Sequence, residues 1–124
     1  MSENDKARAL YQQALPLFEK VGSDLGKANI WWSEGMLAWD NESNGTAAVE
    51  AWEKALRLYR KVSYTEYVAN TLARMALAWN QTGQTEKACA ALAEASAIAE
   101  RLHVPSLSNL VARVQKEVTC PEHN

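Results

Sequence analysis

The chain is poor in the features that mark most functional classes. Neither sign of charge dominates: 13 Lys and Arg stand against 15 Asp and Glu, interspersed, for a net charge of −2. A nucleic-acid footprint needs a basic stripe or face, and a polybasic membrane patch needs clustered cations; neither is present. No apolar run approaches the roughly twenty residues needed to cross a bilayer. The polar start, Met1-Ser-Glu-Asn-Asp-Lys6, lacks the apolar core of a secretory signal. These absences point to a cytoplasmic protein with no nucleic acid and no membrane among its partners.

Cysteine and histidine are equally scarce. Cys89 and Cys120 make no disulfide framework and fit a reduced environment. Cys89 replaces a small helix residue and is expected to be buried. His103 falls at a helix end and His123 in the tail. No Ser/His/Asp or Cys/His set has supporting context, and there is no Gly-rich phosphate loop. Cys120-Pro-Glu-His123 has metal-like spacing, but further ligands are wanting nearby in sequence. The reading is a non-enzyme with no cofactor and no metal.

Strand signals are nearly absent, and no alternating run of useful length appears. What remains is helical periodicity. Ala7, Leu10, Tyr11, Ala14, Phe18 and Val21 step by three and four along one face. Ala48, Val49, Trp52, Ala55, Leu56 and Tyr59 repeat the pattern, as do Ala88, Ala91, Leu92, Ala95, Ile98, Ala99 and Leu102.

These three stretches are versions of one another, about forty residues apart. Tyr11, Ala14, Phe18 and Val21 align with Trp52, Ala55, Tyr59 and Val62, and again with Leu92, Ala95, Ala99 and Leu102. The first interval is one residue longer than the second. Between the copies Leu37-Ala38-Trp39 recurs as Leu77-Ala78-Trp79. Such a period means stacked supersecondary units, which usually bind on an extended surface.

Breakers divide the chain into six helices at roughly 4–21, 25–40, 46–62, 66–82, 86–102 and 107–118. Thr65, Thr85 and Ser106 are expected as N-caps. Pro105 is expected to close the fifth helix. Pro16 lies inside the first helix; its repeat equivalent Arg57 places it toward solvent, so a kink rather than a break is predicted. Short connections make sequential helices antiparallel neighbours. Residues 1–118 read as one domain and 119–124 as a flexible tail.

The fourth and fifth helices resemble a tetratricopeptide repeat. Leu72, Met75, Ala76, Trp79, Gly83, Ala88, Leu92 and Ala95 stand at that family's spacings. The second and third helices match through Trp39, Ala48, Trp52 and Ala55, but Ser43 replaces the turn glycine. Gly35 fits the small position only if one residue is inserted. The first helix looks like the second half of a preceding unit, and the sixth like the first half of a following one, or a cap. The period exceeds the family's usual length of about 34 residues, the excess lying in the link at 21–28, as in the longer-repeat branch found in bacterial regulators and signalling scaffolds.

The resemblance implies an all-α, right-handed α-solenoid of about six antiparallel helices: two full hairpins plus flanking helices. It implies binding of a peptide or helix of a partner protein in a concave groove. In the family the first helix of each pair lines that groove. Carried over, this gives Asn29, Ser33, Glu34, Leu37, Asp40 and Asn41 on the second helix, and Asn70, Ala73, Arg74, Leu77, Asn80 and Gln81 on the fourth. Asparagines can bond both backbone groups of an extended peptide, and Arg74 can pair with a carboxylate. The alternative is that these residues form ordinary solvated helix faces. Glu34 and Asp40 stand where the family's chaperone-binding clamp needs cations, which argues against that ligand.

Adjacent Trp31 and Trp32 point about a hundred degrees apart. Either one is core and the other, taken as Trp32, an exposed anchor, or both are half-buried between successive helices. Trp39, Trp52 and Trp79 are read as core. The competing function is self-association, as a homodimer through the first helix, whose apolar face lacks the helix that would precede it. A sensor arm of a larger regulator fits the same pattern.

Overall fold

The computed structural model describes residues 2–121. Those residues form an all-α fold of six helices without a strand. α1 spans Glu3–Val21, α2 Asp24–Met36, α3 Gly45–Lys61, α4 Thr65–Gln81, α5 Thr85–Leu102 and α6 Pro105–Glu117. α2 runs on into a single π turn, Leu37–Asn41. The chain divides into two compact units, Met1–Tyr64 and Thr65–Asn124.

Local chemistry sets the ends. Ser2 accepts from the Asp5 amide while the Asp5 carboxylate accepts from the Ser2 amide, a reciprocal cap that starts α1. Ser23 and Asn44 cap α2 and α3 through their side-chain oxygens. Two expected caps, Thr85 and Ser106, are not used. Thr65 and Thr85 are the first residues of their helices, and Gln84 precedes α5 without a side-chain cap bond. Pro105 does not merely end α5; it opens α6 at the first helical position, where its missing N–H would have no partner in any case, and Ser106 lies inside. α1 continues unbroken through exposed Pro16.

In the first unit α2 and α3 form the tightest pair. Trp52 is fully buried against Gly35, where a Cβ would lie 2.3 Å from the indole. Ala76 and Leu92 occupy the matching positions in the second unit, so glycine with tryptophan stands in for alanine with leucine. The indole N–H donates to the Trp32 carbonyl at 3.1 Å, and the Trp39 ring lies 6.4 Å away. α1 rests on α2 where the Phe18 ring occupies the space above Gly26.

Ion pairs join the same helices. Arg8 on α1 makes a two-pronged bond to Glu42 at 2.5 Å and a longer one to Glu34 at 3.4 Å. Lys61 at the end of α3 reaches Asp24 at the start of α2, at 2.9 Å. The Arg8 hydrogen bonds hold the Glu42 carboxyl below its ordinary range, and the Lys61 bond does the same to Asp24.

In the second unit α4 and α5 pack on each other, with Ala76, Ala88 and Ala95 fully buried and Leu72 and Leu92 buried beside them. α6 packs on both, through Leu107, Leu110, Val111 and Val114. Trp39 and Trp79, read as core, are only half-buried. Trp31 and Trp32 are both half-buried, and the Lys54 ammonium sits 4.1 Å from the Trp31 ring centre.

The cysteine expectation is corrected. Cys89 and Cys120 form a disulfide, their Cα atoms 5.6 Å apart, and Cys89 is half-buried rather than buried. The bond ties residues 119–121 to α5, so this part of the tail is pinned. It also removes the cysteines as an argument for a reducing compartment, since paired cysteines belong to oxidising surroundings. Cys120 is thereby spent as a metal ligand, and His123 lies outside the described residues. No described helix is long and apolar enough to cross a membrane.

Candidate functional site

The residues singled out on α2 mostly hold the first unit together. Asn29 accepts a hydrogen bond from the Tyr59 hydroxyl at 2.5 Å, linking α2 to α3. Trp32 gives its carbonyl to Trp52, and Glu34 accepts from Arg8. Ser33 is half-buried; Asp40 is exposed on the π turn. These five side chains therefore span a range from structural ties to open surface.

The residues on α4 divide differently. Asn70 and Arg74 sit one turn apart, and Arg74 Nε donates to Asn70 Oδ1 at 3.0 Å, which fixes the guanidinium plane. Both line a polar cleft of about 330 Å³ between α4 and α6. Across it stand Ser106, Asn109 and Arg113 from α6, with Glu66 at the α4 end. Asn80 lies outside this cleft, donating to the Glu117 carbonyl at 3.4 Å near the end of α6. Leu77 is half-buried and Gln81 exposed.

The cleft combines two guanidinium groups, two carboxamides and one carboxylate. Guanidinium groups bind planar carboxylates in a two-pronged way, and carboxamides can bond both the N–H and the C=O of an extended backbone. The chemistry suits a polar peptide segment more than an apolar ligand. Arg113, Asn109 and Ser106 are not singled out as site residues by the sequence, which reads α6 only as the first half of a following unit or a cap. The available signal was the short 103–104 link, which obliges α6 to fold back over the pair before it.

A second, wider groove of about 930 Å³ runs along the outer face of α5. Ala90, Ala93 and Ala97 line it together with Gln115, Val118 and the two disulfide cysteines. It is mostly apolar, and none of the groove residues carried over onto α2 and α4 lines it.

No family model, curated protein or solved structure matches the chain.

Proposed function

We propose that the chain is a protein-interaction module of the tetratricopeptide-repeat kind, a right-handed α-solenoid that binds a segment of a partner protein. The observation that carries this reading is the α4–α6 cleft, which sets Asn70 and Arg74 opposite Asn109 and Arg113. Supporting it are the recurring helical pairs and the way α6 packs on both members of the preceding pair, as a next repeat would. The favoured ligand is an extended segment that offers backbone amides to the asparagines and a carboxylate to the arginines.

Peptides selected from a displayed random library against the chain should be rich in Asp and Glu. Their affinity, measured by fluorescence polarisation, should fall at least tenfold in Arg74→Glu and in Arg113→Glu, because one charge-assisted contact contributes about 1.5–3 kcal/mol. Selected peptides that bind both variants unchanged would remove the cleft as the site.

A further inference from the structure

α1 is the one helix of the six with no buried residue. Leu10, Leu17 and Val21 are 63%, 64% and 75% exposed. The other copies of the repeat show what this face is built for. At the positions matching Leu10 and Leu17, Ala51, Ala91 and Ile98 are buried and Leu58 is half-buried. At those matching Ala7, Tyr11 and Ala14, the residues Ala48, Trp52 and Ala55 are fully buried, whereas on α1 all three are half-buried. In each of those copies an antiparallel helix, α2 or α4, lies against the face. On α1 the large residues of this face, Leu10, Leu17 and Val21, stay exposed.

We infer that this face is covered by α1 of a second copy of the chain, running antiparallel. The seam is Ala7, Leu10, Ala14, Leu17 and Val21, apolar residues spaced three and four apart, of which Leu10, Leu17 and Val21 are exposed and the two alanines half-buried. An antiparallel copy in the register that sets Leu10 on Ala14 also sets Leu17 on Ala7, so each leucine meets an alanine, while Val21 meets Glu3 at the end of the seam. The same register sets Lys20, the only cation in the last turn, opposite Asn4 in the first turn of the second copy, between its acidic Glu3 and Asp5. A parallel pair would lay acid on acid and base on base. The contact is isologous, so it closes at two copies and does not propagate. α6 offers no such seam: its large apolar residues Leu107, Leu110, Val111 and Val114 are buried, and its exposed residues, such as Ser108, Arg113 and Lys116, are mostly polar. The pairing uses neither Asn70 nor Arg74 and stands apart from peptide binding in the α4–α6 cleft.

Sedimentation equilibrium of the full chain from micromolar to millimolar should show a monomer–dimer system. Leu17→Glu introduces two buried charges per dimer and should raise the dissociation constant more than about a hundredfold, with the helical circular dichroism unchanged because Leu17 is exposed in the monomer. Lys20→Glu should weaken the dimer, and Lys20→Glu with Glu3→Lys should recover most of the loss. The inference is overturned if the unaltered chain is a monomer throughout, if the dimer withstands Leu17→Glu, or if the double exchange fails to recover what the single one loses.

Discussion

Two residue-scale features show the repeat accommodating unequal side chains. Gly35 leaves room for Trp52, where the second unit uses Ala76 with Leu92. Gly35→Ala should cost about 1–3 kcal/mol by overpacking, read as a lower urea midpoint. Trp52→Leu alone leaves a cavity and should also destabilise. The double variant restores the second unit's pair and should lie well above the sum of the two losses; simple additivity would show that the two sites are not coupled. The second feature is the left-handed turn residue. Gly22 and Gly83 adopt positive φ without strain, but Ser43, Ser63 and His103 stand at repeat-equivalent turns with φ of 51°, 58° and 54°. Ser63→Gly and His103→Gly should each raise stability by about 1 kcal/mol in thermal melts, by relieving the side-chain clash of that conformation.

At the scale of the element, the helices were legible because each carries a long apolar stripe between turn residues. Every end falls within two residues of the sequence reading once the π turn is counted with α2. Caps were less legible: a threonine beside a helix start serves equally well as cap or first residue, and only the backbone angles decide. The half-burial of Trp39 and Trp79 was also hidden, because a residue at a helix end can belong to the core stripe and still keep one edge in water. Arg8, which ties α1 to α2 and the following turn, was not singled out; its partners Glu34 and Glu42 lie too far along the chain for spacing to reveal them. These ties make stability depend on pH in a defined sense. The Glu42 and Asp24 carboxyls are held below their ordinary ranges by Arg8 and Lys61. Their contribution is therefore complete above the ordinary carboxylate range and is lost as pH falls through the depressed folded values. The melting temperature should drop on acidification below about pH 5. Glu42→Gln should lower it near neutrality and flatten the acid slope; a slope unchanged in Glu42→Gln would exclude this pair as a contributor.

For the whole molecule, the all-α class was legible in the repeat, but the disulfide was not. Two cysteines far apart in sequence carry no sign of proximity until α6 folds back on α5. The bond closes a loop with a sequence separation of 31 residues. Removing that cross-link from the unfolded chain restores about 3–4 kcal/mol of conformational freedom. Calorimetry with a dithiol reductant, or of Cys89→Ser with Cys120→Ser, should show a melting temperature lower by roughly 10 °C. Equal melting with and without reductant would show that the bond adds no stability. The α4–α6 cleft belongs to this scale as well. Asn70 and Arg74 follow from the repeat resemblance carried onto α4, while their counterparts on α6 depend on tertiary folding that no local pattern encodes.

The π turn at Leu37–Asn41 bears on how such a chain can change length. An α-helix that gains or loses one residue rotates everything beyond the change by about a hundred degrees. The extra residue of the first repeat interval falls between Gly35 and Leu37, where a wider turn takes it up and leaves Gly35 against Trp52 and Trp39 beside the same indole. The joint therefore acts as an expansion loop does in a pipe. Here a single codon can enter or leave the gene without putting the two sides of the helix out of phase.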